Sequence, residues 1–287
     1  MKHYIFRYII SALAITTALY SSCLGQLKGD TYASAKESKK ATWTLLYSDS
    51  PGLATLTSGK PEGLCFDLMV EFASYVKTKS GIDVTLKYPT EASDDFDSYL
   101  KNVKDGKGGV FGLSNTTITA ERKKSYKFSP PFMKNVSMLL SNSSVTQLND
   151  LNTIAATFAH LKGITVKGTI NEGRILALKK KYFPAMELES VSSFSEAIDR
   201  ISTDSKTFTC TDVTYFMKAI QAGKKIKRHP AGDEEGEEFG VIMPLSNDWS
   251  PLFTEFMNSG FSTSEKYHNI MTKHLGQSIL KFSKTAK

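Results

Sequence analysis

Cysteine and histidine are too few and too scattered to suggest a metal site. The 287 residues contain three cysteines and five histidines. The closest histidine pair at the C-terminal end, His268 and His274, is six residues apart, which does not place both on one helix face. If Cys23 is removed with a leader, Cys65 and Cys210 remain, and we interpret both as small apolar residues. The sequence therefore predicts no metal ion and no cofactor.

A concentrated basic surface is also lacking. The formal net charge is +7, and residues 1–25 contribute Lys2 and Arg7 to it, so the remainder carries +5. The lysines are spread along the chain and form no stripe interleaved with aromatic residues. Nucleic acid is therefore not an expected partner, and the basic residues are those of a solvated surface.

Long apolar runs are missing except near the N-terminus. There, Lys2 and Arg7 flank the start of the apolar stretch YIISALAITTALYSS, which is shorter than the roughly 20 residues that a membrane span needs. This pattern predicts a signal peptide over residues 1–25 and an exported, periplasmic or extracellular protein. Two endings stay open: cleavage after the small-x-small sequence Cys23-Leu24-Gly25, or a lipid anchor at Cys23.

The first half of the chain predicts strands that alternate with helices. Residues 26–40 are polar and lysine-rich, without an apolar pattern, and predict a disordered leader. Apolar residues then alternate along strand-like runs or recur at helical spacing with glycine just beyond. The expected order is strand, helix, strand, helix, strand, over residues 41–49, 66–76, 82–89, 96–103 and 108–114. Such alternation predicts an α/β fold with a largely parallel sheet.

The second half repeats the same organisation. Strands and helices alternate again, and the acidic stretch 232–238 is interpreted as a solvated loop before a last strand and two C-terminal helices. The elements of this half are strands at 135–141, within 160–169, at 207–210 and 239–246, and helices at 171–184, 193–201 and 212–223. Two similar αβ halves predict a cleft between them.

Polar groups lie at the ends of predicted strands in both halves. Residues 114–117 follow one strand, Gly168 and Thr169 follow another, and Asp212 follows a third. In open α/β sheets, ligands bind beyond the carboxyl ends of the strands. We therefore expect these groups to face the cleft.

The segment TTITAERKKSYKFSPPF, residues 116–132, resembles the signature of the type 3 extracellular solute-binding proteins. These are the polar-amino-acid receptors of ABC importers, and the ligand cores of ionotropic glutamate receptors are similar. Three further segments resemble the family in the right order: GKPEGLCFDLMVEFASYV (59–76), LKGITVKGT (161–169) and FTCTD (208–212). The resemblance spans residues 41–276.

This resemblance implies a periplasmic-binding-protein-like fold of two αβ lobes. Lobe one would comprise residues 41–135 and 240–287, lobe two residues 136–239, with a hinge near 133–138 and 236–242. It also implies that the protein is no enzyme, binds a small polar amino acid or similar zwitterion, acts as a monomer and delivers its ligand to the membrane permease of an ABC importer.

The resemblance further implies a ligand site at Arg122, Thr117, Asn115, Thr169, Ile170 and Asp212. A guanidinium can hold a carboxylate bidentately, and an ionised aspartate can accept from an ammonium. The amide groups that follow Thr169 would open a helix, which favours an anion. The alternatives are an ordinary surface cation at Arg122 and simple helix caps at Asp212 and Thr169.

The sequence departs from the family at two points. The first loop, SDSPGLATLTSGK, lacks the aromatic residue that commonly packs on the ligand side chain, and Asn115 stands where many members have serine or proline. The first departure weakens an interpretation as a receptor for arginine, lysine or histidine. Two other functions of the same fold stay open: a sensor module, and a cyclohexadienyl-dehydratase-like enzyme with Glu172 as general acid.

Overall fold

The first sheet of the computed structural model gathers strands from both ends of the chain. The structure describes residues 27–89, 93 and 95–283, so the predicted signal peptide and Cys23 lie outside the described residues. Five strands are arranged in the order β4-β1-β5-β13-β6, and β1 pairs in parallel with β4 and β5. The elements of this first lobe are α1 (Tyr32–Ser38), β1 (Lys40–Tyr47), β2 (Thr55–Thr57), β3 (Lys60–Glu62), α2 (Leu64–Ser80), β4 (Asp83–Lys87), α3 (Phe96–Asp105), β5 (Val110–Leu113) and β6 (Tyr126–Phe128), joined later by β13 (Ile242–Pro244), α8 (Ser250–Asn258), α9 (Glu265–Leu275) and α10 (Leu280–Ser283).

The second sheet is built from the middle of the chain. Its order is β11-β7-β10-β8-β9, with β12 paired to β7 as well. Strands β8, β9 and β10 run parallel, whereas β7 is antiparallel to its three partners. The elements of this second lobe are β7 (Met133–Asn142), α4 (Ile154–Thr157), β8 (Lys162–Val166), α5 (Ile170–Tyr182), β9 (Leu188–Val191), α6 (Phe194–Thr203), β10 (Thr207–Asp212), α7 (Val213–Gln221), β11 (Ile226–Arg228) and β12 (Glu234–Phe239).

The core of the first lobe is aromatic and follows the helical pattern of the sequence. Helix α2 buries Phe66, Met69 and Val76, whereas Val70 of the same predicted face is exposed. Gly81 ends the helix in a left-handed conformation with φ +66°. Phe72 of α2 stacks on Phe253 of α8, with ring centroids 4.4 Å apart, and Trp43 of β1 packs against Phe72 at 4.7 Å. This packing fixes the carboxyl end of β1, and with it the polar loop that faces the second lobe.

The disordered leader predicted over 26–40 is wrong for the part that the structure describes. Thr31 caps helix α1 by accepting from the backbone of Ser34, and Asp248 accepts from the backbone amides of Tyr32 and Ala33 at 2.7 and 3.0 Å. The Tyr32 ring packs on Trp249 with centroids 5.0 Å apart. The segment is ordered by docking onto the start of α8, a long-range contact that its own polar composition does not reveal.

Two segments predicted as loops contain strands. The acidic stretch 232–238 forms most of β12, which pairs antiparallel with β7 over Glu234–Phe239. The first loop contains the two-stranded hairpin of β2 and β3. In both cases backbone pairing with a neighbouring strand outweighs the low strand propensity of charged residues and glycine.

Two short connections join the lobes. The chain passes from β6 to β7 through residues 129–132 and returns from β12 to β13 through residues 240–241. These connections lie within and beside the predicted hinge segments; the exact limits of the lobes stay a prediction. None of the helices in the described residues is long and apolar enough to cross a membrane.

Candidate functional site

A cavity of about 150 Å³ lies between the two lobes. All six residues predicted from the sequence line it. Asn115, Thr117 and Arg122 come from the first lobe, and Thr169, Ile170 and Asp212 come from the second. The structure therefore brings together groups that are separated by up to about one third of the chain, because each follows the carboxyl end of a strand.

Arg122 is held in the cleft by its own loop. It begins a single 3-10 turn, Arg122–Lys124, and its backbone amide donates to Thr119 Oγ1 at 3.1 Å. Its guanidinium donates to the carbonyl of Thr117 at 3.1 Å and lies 5.3 Å from the centre of the Phe96 ring. No carboxylate pairs with it among the residues that the structure describes. Arg122 is thus not an ordinary surface cation.

The environment of Arg122 favours an anion from outside the chain. Burial lowers the pKa of the guanidinium, which signals that its charge is poorly solvated there. One N–H is used by Thr117, and a guanidinium has further donors in a planar fork. A carboxylate can occupy such a fork with two parallel hydrogen bonds.

Asp212 ends β10 and is buried, with 3% of its surface exposed. It stands at the N-cap position of α7, but its side chain makes no capping hydrogen bond. Instead its carboxylate accepts from the side-chain amides of Asn115, Asn135 and Asn171. The alternative of a simple helix cap is therefore excluded, because the carboxylate faces the amides and the cavity.

The charge of Asp212 depends on these amides. The pKa of the carboxyl is raised overall, chiefly because the group is buried; the hydrogen bonds from Asn171, Asn115 and Asn135 lower the pKa, and the nearby Glu237 carboxylate raises it. No cation contacts the carboxylate within the described part of the chain. A buried anion without a cationic partner is a suitable receptor for an ammonium group.

Asn115 joins the lobes directly. Its Nδ2 donates to Asp212 Oδ2, and its Oδ1 accepts from the hydroxyls of Ser50 and Ser114 at 3.0 and 2.9 Å. Because an ionised carboxylate can only accept, the Nδ2 end of the amide faces Asp212 and the Oδ1 end faces the two serines. The residue that departs from the family pattern therefore makes a contact across the cleft.

Thr169 both caps a helix and lines the cavity, the two positions that the sequence left open for it. It caps α5: its Oγ1 accepts from the backbone of Glu172 at 3.2 Å and donates to the carbonyl of Val166 at 2.7 Å. It also lines the cavity together with Ile170 and Asn171, whose N–H groups belong to the first turn, where helical amides lack intrahelical acceptors. Backbone amides here can therefore donate to an anionic group of a ligand.

Aromatic residues of the cavity come from elements other than the first loop. Phe96 begins α3, Phe194 begins α6, and Tyr215 lies in α7. The Tyr215 hydroxyl donates to the carbonyl of Asp49 at 3.2 Å, which adds a second contact between the lobes. The sequence signal that could have found Phe96 and Phe194 is their place directly after the N-caps Asp95 and Ser193.

The rest of the lining carries hydroxyls and carboxylates. Five serines contribute hydroxyls: Ser48, Ser93, Ser192, Ser193 and Ser195. Asp49 and Asp95 contribute carboxylates in addition to Asp212. Within the described lining, Arg122 is the one basic side chain. The cavity therefore provides one positive pole and an otherwise neutral or negative wall.

The two remaining cysteines have no part in the site. Both are free and buried, and burial raises the pKa of the Cys210 thiol to about 12. The described residues contain no group of three or more histidine, cysteine or acidic side chains that could hold a metal ion.

Comparison with known families decides the classification. The model for bacterial extracellular solute-binding proteins, family 3, matches residues 47–276. The chain belongs to this family. The assignment from the Arg122 motif and the two-lobe periplasmic-binding-protein fold expected from the sequence are both confirmed. No curated protein matches the sequence.

Solved structures share the fold at low sequence identity. An ancestral arginine-binding protein bound to arginine matches with a TM-score of 0.65 and 18% identity, over 82% of this chain and 98% of that one. The GluR0 ligand-binding core from Nostoc punctiforme with L-glutamate gives 0.63 and 16%, over 82% and 99%. The ancestral amino-acid-binding protein AncCDT-1, a precursor of cyclohexadienyl dehydratase, gives 0.62 and 16%, over 85% and 98%.

Proposed function

We propose that this protein captures a free α-amino acid between its lobes. The observation that carries the proposal is the pairing of Arg122 and Asp212 on opposite walls of one cavity, each without an oppositely charged partner among the described residues. Arg122 binds the α-carboxylate, assisted by Thr117, and Asp212 binds the α-ammonium. Burying either charge of a zwitterion is costly unless it is paired, so the two together select it.

The polarity of the cavity lining limits which ligand side chains can bind. Once the α-carboxylate occupies Arg122, no second cation of the described lining is left for an acidic side chain, whereas Asp49, Asp95 and five serines offer acceptors. A neutral polar or cationic side chain therefore fits best. Phe96 and Phe194 supply aromatic surface for its apolar or cationic part, which offsets the missing first-loop aromatic.

The route of the ligand follows from the family. Family members are extracellular, and a membrane permease of an ABC importer is the partner that such a receptor serves. We propose that the chain is exported through the signal peptide at residues 1–25, binds its ligand as a monomer and delivers it to such a permease. A sensor would use the same cleft and differ from a transport receptor only in the partner protein that recognises the closed form.

A dehydratase-like role has less support. Glu172, the general acid considered for it, accepts from the backbone amide of Gly168 at 2.9 Å, and its own backbone amide donates to Thr169 Oγ1 at 3.2 Å. It is not among the residues that line the cavity. Glu172 therefore stabilises the start of α5, and a proton donor for elimination is missing at this position.

A thermal-shift screen of the mature protein tests the proposal. The panel contains the twenty L-amino acids, their D enantiomers for any hit, and the matching dicarboxylates and amines. A ligand at 100 times Kd adds about 2.7 kcal/mol to the free energy of unfolding, which raises Tm by several degrees. Stabilisation by one L-amino acid or a small group supports the proposal; a flat response to the whole panel rejects it.

A further inference from the structure

A second cluster of charged residues in the second lobe contacts two of the asparagines that bond Asp212. Arg174 of α5 forms ion pairs with Glu237 at 2.8 Å and with Glu234 at 2.7 Å, both in β12. The side chains of Arg174 and Glu237 are only 10% and 13% exposed. A largely buried ion pair is costly to desolvate, so its presence at this place indicates a role beyond stability.

The cluster orients the amide of Asn171. Arg174 donates to Asn171 Oδ1 at 2.9 Å, and the hydroxyl of Ser137 donates to the same oxygen. Because both donors fix the oxygen, the Nδ2 of Asn171 faces the other way and donates to Asp212 Oδ1 at 3.1 Å. Removing Arg174 would leave the Asn171 Oδ1 with the Ser137 hydroxyl as its one donor among the described residues.

Glu237 reaches Asp212 through a second asparagine. The Nδ2 of Asn135 donates to Glu237 at 2.9 Å and to Asp212 at 2.8 Å, while its Oδ1 accepts from the backbone of Val213 at 3.3 Å. Two carboxylates thus share one amide group. Such neighbours favour protonation of one of them unless a cation neutralises the pair.

We propose that Arg174 is a positioning residue for ligand binding, which acts on Asp212 through Asn171 and through Glu237. Arg174 orients the amide of Asn171 towards the Asp212 carboxylate. It also neutralises the neighbouring Glu237 carboxylate, so that Asp212 stays ionised and can bind an ammonium group. The role in ligand binding rests on the proposed function. The effect of Arg174 on the charge of Asp212, in contrast, can be measured without any ligand.

The other charged or titratable groups around Asp212 come from three elements. Arg122, on the turn of the first lobe, favours the ionised carboxyl; Glu237 of β12 opposes it; and Tyr215 of α7 is kept neutral because burial raises the pKa of its hydroxyl. Arg174 is the group whose removal changes both a neighbouring charge, that of Glu237, and one of the amides that bond the carboxylate, that of Asn171.

Carboxyl carbon-13 NMR of aspartate-labelled protein tests the inference directly. The Asp212 resonance is assigned by its loss in Asp212→Asn, and its titration is followed in the wild type and in Arg174→Met. We expect the apparent pKa of Asp212 to rise by about one unit or more in Arg174→Met, since a lost charge and a released amide act in the same direction. An unchanged titration of Asp212 in a folded Arg174→Met protein would overturn the proposal.

Two more variants separate positioning from folding. Arg174→Lys keeps a cation near Glu237 and should recover most of the shift, and Glu237→Gln alone should lower the pKa of Asp212 below its wild-type value. Arg200→Met is the matched control, because Arg200 pairs with Glu189 on the exposed face of the same lobe. A lower Tm in Arg174→Met without a change in the pKa of Asp212 would show that Arg174 has only a structural role. The same conclusion would follow if Arg200→Met shifted the pKa of Asp212 by an equal amount.

A binding arm distinguishes this inference from the function on which it rests. L-arginine and L-glutamine are titrated calorimetrically into each variant at pH 8 and pH 5. Where the wild type binds, the ratio of Kd at pH 5 to Kd at pH 8 should be larger in Arg174→Met than in the wild type, by up to about tenfold for a rise of one pKa unit, because more of the Asp212 carboxyl is protonated at pH 5. If no amino acid binds the wild type, the proposed function fails, while the NMR titration still decides the role of Arg174.

Discussion

Asn115 of the first lobe donates a hydrogen bond to Asp212 of the second, directly across the cleft. The contact lies beside the position where the ligand ammonium is expected, so the amide and the ligand share one carboxylate. Closure of the lobes and capture of the ligand therefore depend on the same anion. A ligand can shift the open-closed equilibrium only by binding the closed form better, and Asp212 supplies part of that difference.

Replacing Asn115 by aspartate should open the cleft. Two carboxylates would then face each other at hydrogen-bond distance, and at pH 8 their repulsion disfavours the closed form. We expect a larger radius of gyration by small-angle scattering and a loss of ligand affinity of at least tenfold, both partly reversed near pH 5, where the pair can share a proton. Asn258→Asp, at an exposed position of α8, is the control. Identical scattering of Asn115→Asp and wild type at pH 8 would show that this contact does not influence closure.

Replacing Arg122 by alanine should abolish ligand binding and leave the fold intact. The ligand carboxylate would remain buried without its charged partner, which costs roughly 3–5 kcal/mol and more than a hundredfold in affinity. Arg122→Lys should rescue little, because a point charge cannot reproduce the planar fork. Calorimetric titration and circular dichroism measure the two effects.

Lys123→Ala is the matched control for Arg122, since Lys123 is an exposed cation on the same turn. Its affinity should equal that of the wild type. Unfolding of Arg122→Ala, or an equal loss of affinity in both variants, would contradict the assignment of Arg122 to the ligand carboxylate.

Gly168 of the second lobe lies against the Asp97 side chain of the first lobe. It has φ +77°, and a Cβ atom at this position would lie 2.5 Å from Asp97 Oδ1 of the facing lobe. Gly168→Ala should therefore weaken ligand binding by hindering closure, and Asp97→Ala in the same chain should recover part of the loss. The strain of a left-handed alanine, of order 1 kcal/mol, would remain in the double variant.

Gly173→Ala provides the comparison for Gly168. Gly173 lies within α5, and a Cβ atom there meets nothing within 4 Å. This variant should be at least as stable as the wild type, because alanine is the better helix former. A Gly168→Ala protein that binds as well as Gly173→Ala would mean that the lobes need no close approach at residue 168.

Buried His229 should make the protein less stable in acid. Its Nδ1 accepts from the backbone of Leu148 at 3.0 Å, so its Nε2 carries the proton and donates to Ser141 Oγ at 2.7 Å. Burial lowers the pKa of the imidazole from 6.5 to about 4. Between pH 6.5 and pH 4, His229 is therefore protonated in the unfolded chain and neutral in the folded chain. The free energy of unfolding that this residue contributes above pH 6.5 is lost as the pH falls towards 4.

The expected loss between pH 7 and pH 4.5 is about 2 kcal/mol from this residue. Urea unfolding of wild type and His229→Gln at both pH values isolates it, because the other titrating groups are common to both proteins. The difference between the two pH values should be smaller in His229→Gln by that amount. Equal pH dependence in the two proteins would show that His229 does not remain neutral on folding.

The sequence predicted the elements whose apolar pattern is local. The helical spacing in residues 66–76 and the alternation in 41–49 correspond to α2 and β1, and the six site residues meet in one cavity because each follows a strand end. Elements that depend on distant partners were missed. Helix α1 is ordered by Asp248 and Trp249, and the acidic β12 is held by pairing with β7.

The amides around Asp212 illustrate the same limit within the site. Asn135 follows the start of a strand and Asn171 lies in a helix, and neither position carries a pattern that distinguishes a ligand-site amide from any other asparagine. Only the fold shows that both converge with Asn115 on one carboxylate. Arg122, in contrast, stood in a motif specific enough to be found from the sequence alone.

The central claim is that Arg122 and Asp212 together hold the two charges of an α-amino acid. The most direct measurement is calorimetric titration of the mature protein with the amino acid found by thermal shift, with its 2-hydroxy acid analogue and with its α-carboxamide. We expect each analogue to bind more than a hundredfold more weakly, since each leaves one buried charge of the cleft unpaired. Equal affinity for the amino acid and either analogue, or no binding of any amino acid, would contradict it.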